Sequence, residues 1–368
     1  MSCSCDSGKL QPFESGLSQL LNAASSVQET EIVELQDALG RVLARDVRST
    51  LAVPPADNSA MDGYAVSYKD LAEGKTFQIS QRVAAGHQAK AEGVRFVGKP
   101  SRGDHIRRAG QDINIGDQVI TQGTVLAPQH LGVLASVGVA DVSVYRRLRV
   151  AVLNTGDELV MPGMPCPQGK IYNSNFFTLS GLLSRLGCDV WTPGIVKDTP
   201  EATQQALAKA AGHADIIISS GGVSVGEEDH VKSAVEALGS LNLWRLAIKP
   251  GKPLAFGEVK GTPFIGLPGN PSAVLVTFLM LARPYLLKMQ GARNIQPRQY
   301  QVHAGFDRPK AISRKEFLRV IVTNENGKLL AVSAHSQSSG VLSSAVLADG
   351  LLVVPEQCPV TQGDILDF

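Results

Sequence analysis

The stretch "DIIISSGGVSVGEEDHVKSAVEALG", Asp215 to Gly239, decides the fold. A short β-branched run, Ile216 to Ile218, passes through a glycine turn into a helical pattern that ends at Gly239. Strand, turn and helix in that order make half of a βαβ unit. The turn itself joins opposites: Gly221, Gly222 and Gly226 expose amides suited to a phosphate, while Glu227, Glu228 and Asp229 would repel one.

Working outward, the same alternation runs from about 148 to 290. "RVAVLN" reads as a first strand and "SNFFTLSGLLSRLG" as a helix with a Ser/Asn cap and a terminal glycine. "DVWTPGIV" is a second strand, and "PEATQQALAKAA" a helix opened by proline. "LWRLAI", "LAFGEV" and "PFIGL" follow as strands, then the long helix "SAVLVTFLMLARPYLLKM". The expected class is multidomain α/β, with a doubly wound, mostly parallel central sheet covered on both faces.

The flanking segments differ in texture. Leu17, Leu20, Leu21 and Ala24 have helical spacing, as does "EIVELQDALGRVLARDV", which predicts a second helix over 31–47. "FQIS", "VRFV" and "DQVI", separated by Gly, Pro and Asp, read as a small β-rich module. "YQVHAGF", "FLRVIVT", "LLAVSAH" and "GLLVVP" predict a C-terminal β domain.

Composition narrows the function. The 368 residues carry a formal net charge of +1, so neither a nucleic-acid nor a membrane partner is expected from gross charge. Any anion must be held by a local site. Five cysteines without CxxC pairing fit a reducing cytoplasm, and the start "MSCSCDSGK" is polar, with no secretory signal expected. Cys3 and Cys5 are a candidate metal pair at a terminus, whereas the seven histidines lack zinc-ligand spacing. Cys188 closes an apolar helix and reads as core, and no GxSxG elbow supports a Ser/His/Asp triad. The apolar run "AVLVTFLMLARPYLL" is interrupted by Arg283 and Pro284 and reads as too short to span a bilayer.

In an open α/β sheet, ligands bind beyond the carboxyl ends of the strands. "NTGDE" (154–158) follows the first strand, Asp198 the second, "GGVSVGEED" the third, "KPGKP" (249–253) the fourth and "LPGNPS" (267–272) the last. Gly221, Gly222, Ser224, Gly226, the turn Gly269–Asn270–Pro271–Ser272, Lys249 and Lys252 suit oxyanions. Glu158, Asp198 and Asp229 suit a hard cation such as Mg²⁺. A metal bridging carboxylate and phosphate would remove the conflict inside the 215–239 turn. Taken singly, the glycine turn is also an ordinary connector, Asp229 a first-turn acid favoured by the helix dipole, Asp198 a cap, and the lysine loop a solvated turn.

Five motifs carry a resemblance: "DNSAMDGYAV", "NTGDEL", "SSGGVSVGEED", "AIKPGKPLAFG" and "GLPGNPSAV", in this order. Together they resemble the MoeA/gephyrin E-domain family of molybdopterin molybdotransferases, over nearly the whole chain. The resemblance implies a transferase of molybdenum cofactor biosynthesis that inserts molybdate into adenylylated molybdopterin and releases AMP, with a divalent metal, Mg²⁺. It implies Asp62, Glu158, Asp198 and Asp229 as catalytic acids, the last three also as metal ligands. Ser224, Lys249, Lys252, Pro268, Pro271 and Ser272 would line the pterin-phosphate and molybdate pocket; Arg319 in "EFLR" and Ser339 in "HSQSSG" would reach it from the C-terminal domain. Asp62 and Asp112 would sit on a module that closes the cleft from the other subunit of a homodimer. A molybdopterin adenylyltransferase is a possible partner.

The implied division is an N-terminal helix over 1–30 packing on the central domain, a linker and dimerisation domain of 31–48 and 117–147, a small β module of 49–116, the molybdopterin-binding domain of 148–291, and a C-terminal domain of 292–368. The small module departs from the family. A Gly/Pro-rich stretch resembling "MTGAPVPxGADAVV", with a functional threonine, is absent from the 112 − 62 = 50 positions between Asp62 and Asp112. Without it, a pterin-binding carrier or scaffold that has lost turnover is the alternative, and molybdopterin adenylylation a second.

Overall fold

The computed structural model describes residues 10–71, 76–79, 93–95, 101–222 and 230–368. The chain forms two compact units, one of 1–45, 122–127 and 141–368, the other of 46–121 and 128–140. Residues 31–48 and 117–147 are thereby shared between both units, because the strand Thr30–Glu34 pairs with Asp141–Tyr145 while Val47–Arg48 pairs with Gln118–Ile120.

The first unit is built on one mixed sheet. Its strands are β1 (Arg149–Thr155), β2 (Asp189–Trp191), β3 (Ile195–Val196), β4 (Ile216–Ser220), β5 (Gly239–Arg245), β7 (Pro253–Val259) and β8 (Thr262–Leu267), with β6 (Ile248–Lys249) set aside for a neighbouring sheet. The order is β2-β1-β4-β8-β7-β5, with β3 also on β1. The pairs β2–β1, β3–β1, β1–β4 and β4–β8 are parallel, whereas β8–β7 and β7–β5 are antiparallel. The predicted second strand is two pieces, because Thr192, Pro193 and a left-handed Gly194 (φ +87°) interrupt it.

Strand alternation assigns each residue to a face. Val150, Val152, Ile216, Ile218 and Ile265 join one core with Leu179 and Leu183 of α1 (Ser174–Arg185) and Val274 of α4 (Pro271–Met289). Ala151, Leu153, Ile217 and Phe264 join the other with Leu207 and Ala210 of α2 (Pro200–His213) and Val231 and Val235 of α3 (His230–Leu238). Burial on both faces explains why these strands are continuous apolar runs.

The caps differ from the expected positions, lying at Asn173 and not Ser174 or Asn175, and at Thr199 and not Asp198. Asn173 accepts from Phe176 N at 3.2 Å at the start of α1, and Thr199 from Ala202 N at 3.3 Å ahead of Pro200 in α2. Helix α4 is apolar and long enough to cross a membrane by length and composition, yet its most apolar window is 72% buried in this core. It carries a π turn at Phe278–Ala282 just before Pro284, whose missing N–H loosens the ladder there.

The C-terminal strands β9 (Gln301–Ala304), β10 (Lys315–Glu325), β11 (Lys328–Ser333), β12 (Gly350–Val354) and β13 (Ile365–Asp367) close into a barrel, since β12 pairs with both β13 and β10. Strand β6 runs parallel to β10, with Lys249 opposite Glu316. The helix Phe13–Asn22 packs near both sheets: Phe13 meets Phe317 edge-on at 5.3 Å, and Lys288 Nζ donates to Leu21 O at 2.7 Å.

The helix expected over 31–47 does not form. Residues 30–34 are a strand, 35–37 a single 3₁₀ turn, and Gly40 is left-handed (φ +75°). The β-branched pair Ile32 and Val33 finds strand partners at Ser143 and Val142, a long-range pairing that outweighs local helical spacing.

In the second unit, Asn58–Ser59 pairs with Ile106–Arg107 and Thr76–Gln78 with Gly93–Arg95, both antiparallel. Asp57 accepts from Ala109 N (2.8 Å) and Arg108 (2.6 Å). Among the described residues of this unit, Pro128–Ser136 is a helix.

At the amino edge of β1, Asp215 receives Arg146, Arg149 and the Arg149 backbone N–H, at 2.6, 2.7 and 2.8 Å. Burial alone would raise its pKa, but these donors prevail and lower it to about 2. A depressed carboxylate contributes stability above its unfolded pKa of roughly 4, and that contribution disappears as pH falls toward 2. Asp215→Asn is therefore expected to lower the melting temperature at pH 6 to 7, with the gap to wild type closing between pH 4 and 2. A gap independent of pH would show that ionisation of Asp215 is not what stabilises this corner.

Candidate functional site

Two cavities open at the carboxyl edge of the parallel strands. The first, about 400 Å³, receives Thr155 at the end of β1 with Gly156 and Glu158 beyond it, Asp198 after β3, Ser220 at the end of β4 with Gly221 and Gly222 beyond it, and Asn173 to Asn175 at the start of α1. The second, about 640 Å³, is bounded by Lys249 to Pro253, Pro268, Arg314 and the Gln337–Ser339 loop. Gly221, Gly222, Gly269 and Asn270 line both. Volumes of this size suit a substrate-sized ligand.

The cavities differ in charge. Glu158 and Asp198 face the first; Lys249, Lys252 and Arg314 face the second. Strand reversal accounts for the second set. Because β7 runs antiparallel to β8, its first residues lie at the same edge as the last residues of β8, so "KPGKP" meets "LPGNPS" there.

Glycine is required at several of these turns. Gly156 has φ +141°, and a Cβ there would stand 2.4 Å from Glu158 Oε2, so the carboxylate folds over the space that a side chain would take. Gly251 has φ +98°, and its Cβ would meet Thr277 Cγ2 at 2.2 Å. At the shared wall, a Cβ on Gly269 would lie in ordinary contact with Gly221 Cα, at 3.6 Å.

The N-terminus of α4 is tied down from the barrel. Ser272 N donates to Ser339 O at 2.9 Å, Ser272 Oγ to Val341 O at 2.8 Å, and Asn270 Nδ2 to Ser339 Oγ at 3.1 Å. Asn175 Nδ2 donates to Gly269 O at 2.8 Å from the other side.

Lys249 Nζ stands 3.0 Å from Glu316 Oε1, and Arg308 reaches the two oxygens of the same carboxylate at 2.7 and 2.6 Å. The Glu316 side chain is 2% exposed.

Of the residues singled out from sequence, Glu158, Asp198, Gly221, Gly222, Gly269, Asn270 and Pro271 meet in the first cavity, and Lys249, Lys252, Pro268 and Ser339 join in the second. Ser272 and Arg319 line neither. Ser272 is fully buried and spends its donors on the barrel loop. Arg319 is 1% exposed; its guanidinium donates to Ser344 Oγ and to the carbonyls of Ser336 and Ser338 at 2.8, 3.0 and 3.1 Å, and burial pulls its pKa down. It shapes the loop that lines the cavity instead of reaching into it. Ser224, Gly226 and Asp229 lie outside the described residues, as do Cys3 and Cys5. Asp62 and Asp112 are exposed in the second unit, where Asp112 N donates to Val53 O at 3.0 Å.

Arg314, Glu316, Gln337, Asn175 and His230 belong to or support the site without having been singled out. Cys188 is 7% exposed with its thiol pushed up to about 12 by burial, which leaves it inert.

Among the described residues no group of three His, Cys, Asp or Glu could hold a metal. Glu158 and Asp198 still fit Mg²⁺, which takes one or two carboxylates and completes its shell with water and phosphate oxygens.

Comparison with known proteins agrees with this architecture. Residues 151–288 match the model of a probable molybdopterin binding domain, 11–96 and 88–138 that of the MoeA N-terminal region (domain I and II), and 301–368 that of the MoeA C-terminal region (domain IV). The two N-terminal matches overlap at 88–96, within the span where the Gly/Pro-rich stretch is missing. The chain is 37% identical to a molybdopterin molybdenumtransferase of Haemophilus influenzae, over 92% of this chain and 93% of that protein. It is 32% identical to molybdopterin molybdenumtransferase 2 of Mycobacterium tuberculosis, over 88% and 90%. The crystal structure of the molybdopterin biosynthesis moeA protein from Pyrococcus horikoshii OT3 superposes with a TM-score of 0.78 at 27% identity, covering 98% of this chain and 99% of that one.

Removing Glu316 should leave two partly exposed cations, Lys249 and Arg308, facing each other without the carboxylate between them. Glu316→Ala is expected to destabilise the protein by about 3 kcal/mol in urea unfolding, the low end for breaking a buried pair, because Lys249 remains 37% exposed. A loss below about 1 kcal/mol would mean that the cations separate into solvent without cost.

Proposed function

The chain belongs to the MoeA family, and from that premise we propose that it transfers molybdenum from molybdate to adenylylated molybdopterin, releasing AMP. It is a transferase of molybdenum cofactor biosynthesis. The observation that carries the finer reading is the shared glycine wall, which sets an acidic cavity beside a cationic one. An adenylylated pterin has a pyrophosphate to lay across such a wall, and molybdate is an oxyanion suited to the cationic side.

Glu158 and Asp198 would hold Mg²⁺ in the first cavity, where the ion would neutralise phosphate charge as the anhydride breaks. Asp229, which lies outside the described residues, is the third acid of the reading. The remaining work falls to positioning. Asn175 and Asn270 fix the Gly269 turn from its two sides, and the lysines hold anionic groups in place before reaction. Lys249 is kept at its station by Glu316.

We also assign to this protein a homodimer in which the second unit's Asp62 and Asp112 serve the partner's cleft, receipt of its substrate from a molybdopterin adenylyltransferase, and a cytoplasmic setting. Light scattering at a single-chain mass would remove the dimer. A carrier without turnover is not favoured, because the relatives named as transferases match across about nine-tenths of both chains.

AMP release is expected from the purified protein with adenylylated molybdopterin and Mg²⁺, and only when molybdate is added. Glu158→Ala or Asp198→Ala should reduce that turnover by roughly a hundredfold or more while leaving the melting temperature near wild type. AMP release without molybdate, or ATP consumption with pyrophosphate release, would overturn the reading in favour of hydrolysis or adenylylation.

A further inference from the structure

The first cavity takes its two acids from different loops. Glu158 follows β1 and Asp198 follows β3, and both are exposed at the sheet edge. Mg²⁺ demands near-ideal octahedral geometry, so carboxylates on separate loops serve it only where something fixes their separation.

The Glu158 loop is held by its own backbone. Glu158 O accepts from Ile171 N at 2.8 Å, where Leu159–Val160 runs parallel to Ile171–Tyr172, and Lys170 Nζ donates to the carbonyl of Asp157 from the same segment. The Asp198 loop is held more sparsely. Strand β3 is two residues long, and the bond from Gly156 N to Val196 O is stretched to 3.4 Å. The next tie is made by a side chain: Asp157 Oδ1 accepts from Asp198 N at 3.3 Å. Although it neighbours Glu158 in the chain, Asp157 does not line the cavity. Its carboxylate is spent on the backbone of the other loop.

We propose that Asp157 is a positioning residue of the first cavity. By clamping the Asp198 backbone to the loop that carries Glu158, it holds the two acids at the separation a divalent cation requires. This rests on Glu158 and Asp198 holding that cation, as argued under the proposed function. A group that orients a ligand in this way is worth roughly ten- to a hundredfold in metal affinity. An amide at 157 separates this role from direct ligation, because it keeps an accepting oxygen for Asp198 N but lacks the charge that a hard cation selects.

The test is Mn²⁺ binding to the full-length protein in the presence of AMP, followed by electron paramagnetic resonance, for wild type, Asp157→Ala, Asp157→Asn and Glu158→Ala. The Mg²⁺ dependence of AMP release is measured alongside. Asp157→Ala is expected to weaken Mn²⁺ binding by about tenfold, with the melting temperature near wild type because the bond it loses is exposed. AMP release should then need correspondingly more Mg²⁺ while approaching the wild-type rate at saturation, which Glu158→Ala should not do. Asp157→Asn should bind Mn²⁺ within about threefold of wild type. Wild-type affinity in Asp157→Ala would overturn the proposal, and so would an Asp157→Asn as weak as Asp157→Ala, which would make the carboxylate itself a ligand. Mn²⁺ binding undiminished in Glu158→Ala would overturn the metal reading and the proposal with it. Because Mn²⁺ binding needs no turnover, a failure of AMP release with these affinities as expected would count against the proposed reaction alone.

Discussion

The pairing of Lys249 with Glu316 is the constraint on which the cationic half of the site depends. Their backbones are opposite each other where β6 meets β10, and their side chains form an ion pair inside the protein. Without that seam, "KPGKP" would be an exposed turn between two strands, and the barrel would have no reason to face the sheet edge. With it, a loop from the central domain and a loop from the barrel become two walls of one cavity. The hydrogen bonds from Ser272 and Asn270 to Ser339 and Val341 make a second seam at the N-terminus of α4, and together they fix the cavity from both ends.

A helix N-terminus is often taken as a free anion site, but here one of its amides is already spent. Ser272 N donates to Ser339 O, so the first turn of α4 serves the domain junction before it serves a ligand. Pro271 has no N–H and Ser272 N is already spent, so this helix start offers an oxyanion little beyond what side chains supply. That is consistent with three cations gathered in one cavity of a chain whose net charge is only +1.

Much of the central domain was legible because its physics is local. Strands buried on two faces are near-continuous apolar runs, and "VAVL" and "III" are; the opening Pro200 marks the start of α2, and the caps Asn173 and Thr199 lie next to residues where the sequence put them. The rule that ligands meet the carboxyl ends of strands then placed Glu158, Asp198 and the glycine turns correctly at one edge. What failed was non-local. "EIVELQDALG" has helical spacing, and only the pairing of Thr30–Glu34 with Asp141–Tyr145, more than a hundred positions away, makes its first residues a strand. Arg314 and Glu316 had no local signal at all, since their role exists only through a register with Lys249.

Arg319 shows the same limit from the other direction. The resemblance places this arginine at the oxyanion, whereas the structure turns it inward to the carbonyls of Ser336 and Ser338. A buried arginine that holds a loop by its carbonyls governs where Gln337, Ser338 and Ser339 stand, and those residues line the cavity. Its influence on an anion there is therefore exerted through backbone position, while Arg314, just before the strand that carries Arg319, is the arginine that lines the cavity. Motif matching identifies which segment belongs to a site; the burial of each side chain decides whether it touches the ligand or builds the wall.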